Sequence, residues 1–195
     1  MSTKKKKIGL YFGSFNPLHI GHMAIANYML EFTDLDQLWM VVSPHNPLKE
    51  KKSLLPDHHR LQMVHLALEE DFNMKASNME FNLPQPSFTI DTLAYIQEKY
   101  PQKEFVVIMG GDSVQNIHKW KNYKEILKYY SVYVYARPHS KIPEELAHQV
   151  QIFHAPQMEI SASFIRNAIK EGKNMRYFLP QKVWAYIQEM HFYKK

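Results

Sequence analysis

The chain has 195 residues, of which 45% are hydrophobic, and this length and apolar content predict a single domain spanning residues 1–195. Its formal net charge is +5, but the lysine run at positions 4–7 supplies four of those charges, so the near-neutral remainder gives no reason to expect a nucleic acid partner. The absence of cysteine excludes disulfides, thiolate zinc sites and a cysteine nucleophile, and it favours the cytoplasm as the location.

The N-terminal segment has a basic start followed by the apolar run "IGLYFGSF", which is the order found in secretory signals. The run is short, and it leads into Asn16 and Pro17 without a small-residue cleavage site. No segment approaches the roughly 20 apolar residues that span a membrane. We therefore expect no membrane partner and interpret the run as a strand.

Strand-like and helical patterns alternate along the first 156 residues. Strands are predicted at 8–13, 38–43, 74–81, 104–111, 130–137 and 150–155, and helices at about 20–32, 57–70 and 89–100, with further helical segments between the later strands. Strands that alternate with helices predict a parallel sheet covered on both faces. The fold class is therefore α/β, a Rossmann-like doubly wound sheet.

The pattern changes after Pro156 to two helices. Ser161 is a plausible N-cap, and Gly172 is well placed to end the first of the two helices. We therefore divide the single domain into a Rossmann-like core at 1–156 and a small C-terminal helical part at 157–195.

Ligands of open parallel sheets bind outside the carboxyl ends of the strands. The stretches that follow the predicted strands are 14–22, 44–49, 111–113 and 137–139. Just before the first of them, Gly13 allows backbone to approach a ligand closely, and within it His19 and His22 lie three residues apart at a helix start. Two imidazoles and the free N–H groups of the helix would then meet an anion together. A structural histidine pair is the alternative, and a metal site is weaker because no third ligand is evident.

Two stretches carry a resemblance to the nucleotidylyltransferase superfamily. "GSFNPLHIGH" resembles its G-[ST]-F-[DN]-P-x-H-x-G-H motif, and "ISASFIR" (160–166) is similar to its I-S-[ST]-x-x-I-R motif, with Ala162 in place of a hydroxyl residue. The resemblance implies that the histidines face the phosphates of ATP. It also implies that Ser161, Ser163 and Arg166 hold the triphosphate, chemistry suited to hydroxyls and a guanidinium at a helix N-terminus. Alone, the second stretch would be a capped helix with a surface arginine.

Six further stretches resemble the bacterial nicotinate-nucleotide adenylyltransferases: "SPHNPLK", "HHRLQM", "PSFTIDTL", "GGDS", "WKNY" and "ARP". This resemblance implies that Lys49 contacts a phosphate, that Thr89 and Trp120 bind the pyridine ring, and that Asp112 lies near ribose or phosphate. Trp120 as a core residue is the alternative. Arg137 is either a phosphate ligand or a cap on the sheet edge, and His139 replaces a glycine that is frequent in the family.

The resemblance thus implies three sets of site residues and no protein metal ligand. The catalytic residues are His19, His22 and Arg166. The ATP-binding residues are Gly13, Ser14, Phe15, His19, His22, Gly110, Asp112, Ile160, Ser161, Ser163 and Arg166. The residues for the second substrate are Ser14, Asn16, Lys49, Thr89, Asp112, Trp120, Lys121 and Arg137.

The implied reaction is adenylyl transfer from ATP, with Mg²⁺ carried by the nucleotide, to nicotinate mononucleotide, which gives nicotinate adenine dinucleotide and pyrophosphate. Phosphopantetheine adenylyltransferase is the nearest alternative, although its chains are shorter. A class I aminoacyl-tRNA synthetase fragment would carry the HIGH sequence, but a K-M-S-K-S stretch is missing. A non-catalytic nucleotide-binding protein is the alternative from another class, and the sequence leaves the oligomeric state open.

Overall fold

A six-stranded parallel sheet in the order β3-β2-β1-β4-β5-β6 forms the centre of the computed structural model, which describes residues 5–44, 54–136, 142–156 and 158–194. The strands are β1 (Lys6–Gly13), β2 (Gln37–Val42), β3 (Met74–Ser77), β4 (Lys103–Gly110), β5 (Ser131–Tyr135) and β6 (Gln151–Phe153). The helices are α1 (Ile20–Glu31), α2 (Asp57–Leu68), α3 (Thr89–Lys99), α4 (Gly111–Gln115), α5 (Tyr123–Tyr129), α6 (Glu144–Ala147), α7 (Ala162–Lys170) and α8 (Gln181–Glu189). The α/β prediction is confirmed.

Side chains of alternate strand residues pack into two hydrophobic cores, one on each face of the sheet. Ile8 and Leu10 of β1 lie in the core that includes buried residues of α3 and α5. Tyr11 belongs to the core on the other face, with buried residues of α1, α2, α7 and α8. Burial on both faces explains why these strands have near-continuous apolar sequences. The doubly wound prediction is therefore confirmed.

The predicted strand at 74–81 is only half a strand. β3 ends at Ser77, and a 3-10 turn covers Met79–Asn82. The carboxylate of Glu80 is buried there and accepts hydrogen bonds from Ser87 and Thr92, at 3.1 and 2.8 Å. The chain turns inward at this point because that carboxylate is bound by the segment leading into α3.

The first of the two C-terminal helices, α7, begins and ends where the sequence predicts. The Ser161 hydroxyl accepts a hydrogen bond from the Phe164 N–H at 3.1 Å, and Gly172 has a φ of +77° just beyond α7. Val183 and Ile187 of α8 are buried in the same core as α1 and α2. The division of the chain at residue 156 stays a prediction. Among the described residues, no helix has the length and apolar character needed to cross a bilayer.

Chain order reverses between β1 and β4, which lie side by side at the middle of the sheet. A strand order of this kind leaves a crevice outside the carboxyl ends of the two central strands, where ligands of such folds bind. The site is therefore expected around Gly13, at the end of β1, and Gly110, at the end of β4.

Candidate active site

Both glycines at the carboxyl ends of the central strands are covered by nearby side chains. A Cβ on Gly13 would lie 2.6 Å from Cζ of Phe15, and a Cβ on Gly110 would lie 2.6 Å from Oδ1 of Asp112. Distances under about 3 Å leave no room for a side chain where the neighbour is fixed, and the buried Phe15 ring therefore makes glycine necessary at position 13. The sequence predicts that Gly13 lets a ligand approach, but the space over its Cα holds the ring of Phe15.

The turn after β1 has an unusual backbone that buries Phe15. This residue has a φ of +45°, and the Asn16-Pro17 peptide bond is cis. The Phe15 ring packs edge-on against Tyr11 and His22, with centroids 5.9 and 5.2 Å apart. A bulky residue in the left-handed region is held there only by its surroundings. The packing of the Phe15 ring therefore holds the turn between β1 and α1 in this conformation.

His19 and His22 lie together at the N-terminus of α1. His19 is the N-cap, with extended backbone, and the two rings stack with centroids 3.7 Å apart. The backbone N–H of His19 donates to Nδ1 of His22 at 3.2 Å. Because that Nδ1 accepts, the ring proton of neutral His22 is on Nε2, which makes Nε2 a donor. The two imidazoles thus lie side by side, and their binding of an anion and their catalytic roles stay predictions.

Arg166 joins the two predicted phosphate-binding stretches. Its Nη1 donates to the backbone carbonyl of Asn16 at 2.8 Å, and its Nη2 donates to Oγ of Ser163 at 3.1 Å. The N-terminal end of α7 is thereby held against the turn that precedes α1. Ile160 also reaches this place, since a Cβ on Gly21 would lie 3.9 Å from the Cβ of Ile160. Two helix N-termini and a guanidinium thus converge on one region, which suits a polyanion.

Arg60 is a buried residue of this region to which the sequence analysis gave no role. Its side chain has no solvent exposure, and its guanidinium donates to the carbonyls of Ser14 and Ser43 at 2.6 and 2.8 Å. It also donates to the carbonyls of Pro44 and Leu55 and to the carboxylate of Asp57, at 3.1, 3.0 and 2.5 Å.

The Arg60 contacts tie the carboxyl ends of β1 and β2 together. A trans peptide directs its C=O and its N–H to opposite sides. Because the carbonyl of Ser14 is bound by Arg60, the N–H of Phe15 is directed away from the guanidinium. "HHRLQM" carried the only available signal, an arginine among apolar residues, and the resemblance attached no function to it.

Thr89 and the Trp120-Lys121 pair come from segments that meet beside the sheet. Thr89 is the half-buried first residue of α3, and Trp120 is half-buried against the α3-side core. The Lys121 ammonium donates to both carboxylate oxygens of Asp91, at 3.0 and 2.8 Å, and lies 5.0 Å from the centre of the Phe88 ring. The two segments are thus neighbours, and the roles of Thr89, Trp120 and Lys121 in binding the pyridine ring stay predictions. The Lys121 ammonium is thus paired with Asp91 in this structure.

Glu80 is a second residue that the sequence analysis missed, and its carboxylate binds Ser87 and Thr92 at the start of α3. Burial raises the pKa of this carboxyl, while hydrogen bonds from Thr92, Ser43 and Ser87 act in the opposite direction. Its partners come from the end of β2 and from the segment around Thr89. Glu80 therefore links the loop after β2 to the N-terminus of α3.

Of the remaining predicted site residues, two lie in described turns beside the sheet and two lie outside the described residues. Asp112 is exposed in the first turn of α4, directly after β4. Lys49 and Arg137 lie outside the described residues, as does His139. Asn16 is 2% exposed, and its side-chain oxygen accepts from the Leu55 N–H and the Tyr193 hydroxyl, at 3.3 and 2.8 Å. That oxygen is bound within the protein, which limits the predicted contact of Asn16 with substrate to its other atoms.

Comparison with known proteins identifies close relatives over nearly the whole chain. Residues 10–168 match the cytidylyltransferase-like family. A Flavobacterium johnsoniae protein named "Probable nicotinate-nucleotide adenylyltransferase" is 55% identical over 193 residues, which are 97% of this chain and 100% of the relative. A protein of the same name from Bacteroides thetaiotaomicron is 44% identical over 188 residues, covering 96% of this chain and 93% of the relative.

Solved structures share the fold at much lower sequence identity. The Plasmodium falciparum nicotinic acid mononucleotide adenylyltransferase complexed with NaAD has a TM-score of 0.82 and 20% identity, covering 96% of this chain and 97% of that one. The same Plasmodium enzyme complexed with APC has a TM-score of 0.81, also at 20% identity, with the same coverage. At this identity the similarity concerns the fold alone, and it agrees with the sheet order described above.

Proposed function

The chain belongs to the nicotinate-nucleotide adenylyltransferases of the cytidylyltransferase-like family, and from that membership we propose how its own residues carry out the reaction. The enzyme transfers the adenylyl group of ATP to nicotinate mononucleotide in NAD biosynthesis. Its substrates are ATP and nicotinate mononucleotide, and its products are nicotinate adenine dinucleotide and pyrophosphate.

The chemistry is an in-line substitution at phosphorus. An oxygen of the mononucleotide 5′-phosphate forms a bond to the α-phosphorus of ATP, and the bond from that phosphorus to the pyrophosphate oxygen breaks. No covalent enzyme intermediate is needed, so the protein contributes alignment and charge neutralisation. Two polyanions must be held together, and the region where α1 and α7 begin is the proposed place.

The hydrogen bond from Arg166 to the Asn16 carbonyl is the single observation that carries this assignment. It unites two stretches that are 150 residues apart and that each end at a helix N-terminus. Arg166 uses one N–H of each terminal nitrogen on protein acceptors, and a guanidinium has five N–H groups. The others are proposed to bind the triphosphate.

His22 and His19 are proposed to stabilise charge at the reacting phosphate. The Nε2 proton of His22 is a donor for a phosphate oxygen, because Nδ1 is held by the His19 backbone N–H. His19 stacks on that ring and fixes its plane. Stabilisation of charge that develops in the transition state is the form of binding that raises kcat.

The pyridine pocket is proposed at the junction of α3 and Trp120. The half-buried indole offers a surface for the flat ring, and the Thr89 hydroxyl and the backbone N–H of Lys121 are donors for the ring carboxylate. The Lys121 ammonium is paired with Asp91 on the surface, so the proposal assigns the contact to the backbone N–H. Selectivity for nicotinate over nicotinamide mononucleotide would follow from donors facing a carboxylate.

A divalent ion that accompanies ATP fits the donor chemistry of this site, and we infer Mg²⁺. Mg²⁺ is bound by oxygen ligands, commonly one or two carboxylates together with substrate phosphates. The exposed carboxylate of Asp112, at the end of β4, is such an oxygen donor. When bound, the ion would neutralise part of the phosphate charge. Asp112 is also the proposed neighbour of ribose or phosphate.

The other inferences from the sequence stay predictions. They are phosphate contacts of Lys49 and Arg137, contacts of Gly13, Ser14, Phe15, Gly110, Ile160, Ser161 and Ser163 with ATP, and contacts of Ser14 and Asn16 with the mononucleotide. The cytoplasm, inferred from the lack of cysteine, is a prediction of the same kind.

Pyrophosphate release measures the proposed activity directly. The protein is incubated with Mg²⁺ and ATP and, in separate reactions, with nicotinate mononucleotide, nicotinamide mononucleotide or phosphopantetheine. Fast release with nicotinate mononucleotide alone supports the proposal. Preference for phosphopantetheine would favour the alternative adenylyltransferase, and no release with any acceptor would favour a non-catalytic nucleotide-binding protein.

A further inference from the structure

The C-terminal end of the chain reaches back to the turn between β1 and α1. After α8, His191 and Tyr193 both have left-handed backbone, with φ values of +55° and +62°. The Phe192 ring between them packs edge-on against His59 of α2, with centroids 4.7 Å apart. Left-handed backbone is unfavourable for such residues and persists only where surrounding contacts hold it. The tail therefore has one defined conformation.

Tyr193 connects the C-terminal tail to Asn16, in the turn between β1 and α1. Its hydroxyl donates to Oδ1 of Asn16 at 2.8 Å, across 177 residues of sequence. The same oxygen accepts from the Leu55 N–H at 3.3 Å, so two donors fix the plane of the Asn16 amide. Since Asn16 is almost completely buried, no bulk water competes for these bonds.

Asn16 also binds Arg166, through its backbone carbonyl. The Asn16 carbonyl accepts from Nη1 of Arg166 at 2.8 Å, and Ser163 holds the other terminal nitrogen. The guanidinium is therefore held by two acceptors, the Ser163 hydroxyl and the Asn16 carbonyl. Asn16 is in turn held by Tyr193. Burial raises the pKa of the Tyr193 phenol, and the charges of Arg166 and Arg60 oppose that shift. The phenol thus stays protonated, and a donor, at every pH near neutrality.

We propose that Tyr193 is a positioning residue for adenylyl transfer, because its hydroxyl fixes Asn16 and the Asn16 carbonyl in turn orients the Arg166 guanidinium toward the triphosphate. The proposal rests on the function assigned to Arg166 above. Tyr193 lies beyond residues 10–168, the part that matches the family, and none of the sequence motifs includes it. Tyr193 would act on the substrate only indirectly, through Asn16 and Arg166.

Two tyrosine-to-phenylalanine variants separate positioning from simple stabilisation. Tyr193→Phe removes the hydrogen bond to Asn16. Tyr186→Phe, the control, removes the hydroxyl that is 2.8 Å from Nδ1 of His59, beside the same Phe192 ring. Each should lower Tm by about 2–4 °C, the shift that the loss of one hydrogen bond causes in a domain of this size. Only Tyr193→Phe should raise the KM for ATP by about threefold to tenfold and lower kcat/KM about tenfold, the scale of a slightly misplaced binding group.

A double-mutant cycle tests the route through Arg166. In an Arg166→Ala background, Tyr193→Phe should cause no further loss in kcat/KM for ATP, because the group that it orients is gone. Losses that simply add would overturn that route. Identical kinetics of Tyr193→Phe and Tyr186→Phe would overturn the proposal as a whole.

Direct binding of ATP, measured by calorimetry on the wild type and on the four variants, keeps this proposal separate from the proposed function. If the wild type releases no pyrophosphate with nicotinate mononucleotide, the assigned reaction is wrong, and the ATP affinities still decide about Tyr193. An ATP affinity of Tyr193→Phe equal to that of Tyr186→Phe then counts against it. An affinity lowered about threefold or more supports it.

Discussion

Replacing Arg60 by methionine should be one of the most destabilising substitutions in this enzyme. Methionine fills much of the same volume without a guanidinium. The change removes the donors to the carbonyls of Ser14, Ser43, Pro44 and Leu55 and to the carboxylate of Asp57. These acceptors lie around a side chain with no solvent exposure, so at first they have no partner.

The size of the effect follows from what these acceptors lose. One buried acceptor without a partner costs about 1–3 kcal/mol. The Asp57 side chain is 38% exposed and can regain water, and water can enter beside some of the carbonyls, so the separate costs do not add in full. We expect Arg60→Met to lower the free energy of unfolding by about 3–5 kcal/mol, as for other broken buried ion pairs. That is a large part of the roughly 5–15 kcal/mol that stabilises a typical domain.

Urea unfolding of matched variants measures this loss. Arg60→Lys should recover only part of the stability, because an ammonium has three donors where the guanidinium has five. Arg176→Met is the control, since Arg176 is exposed and the same substitution there should change stability by no more than about 0.5 kcal/mol. A loss of less than about 1 kcal/mol for Arg60→Met, at an unchanged denaturant slope, would refute the reasoning.

Three further predictions concern turnover, selectivity and acid stability. His22→Ala should lower kcat about a hundredfold with the fold intact by circular dichroism, and near-normal turnover would remove His22 from the mechanism. Nicotinate mononucleotide should be preferred to the nicotinamide form by about tenfold to a hundredfold in kcat/KM, with Trp120→Ala weakening both and sparing ATP; equal use of the two by wild type contradicts this. Lys7 and Tyr133 lower the pKa of Asp34, so its contribution to stability is present above about pH 4 and is lost as the pH falls further. Asp34→Asn should therefore make the decline of Tm below about pH 4 less steep. An unchanged decline would show that the titration of Asp34 does not cause it.

Local sequence signals predicted most of the fold because they depend on nearest neighbours. The strand predicted at 104–111, which is β4 (Lys103–Gly110), has an apolar run that needs no distant information. The α7 cap needs only Ser161 and the amide three residues further on. The strand predicted at 74–81 was half wrong for the opposite reason. Its turn depends on the Glu80 carboxylate meeting Ser87 and Thr92, a contact that residue spacing does not encode.

The candidate site divides in the same way. The motifs with His19, His22 and Arg166 were visible because their residue types and spacings are distinctive. Arg60 was not, since most of its partners are backbone carbonyls, which every residue has and which no sequence pattern marks. Lys121 could be placed beside the α3 segment, but the Asp91 carboxylate that occupies its ammonium was evident only once the two segments were folded together.

The sequence by itself determined the alternation of strands and helices, the caps of α7 and the two phosphate-binding stretches, because each is set by residues within about one helical turn of one another or by a contiguous motif. Only the tertiary structure decided that Arg166 binds the Asn16 carbonyl and that Tyr193 binds the Asn16 side chain. These bonds join residues 150 and 177 positions apart, and they exist because the sheet order sets β1 at the centre while α7 and α8 pack on the face that carries α1 and α2. Such contacts depend on where the chain returns in space, which is a property of the packed core and not of any short stretch.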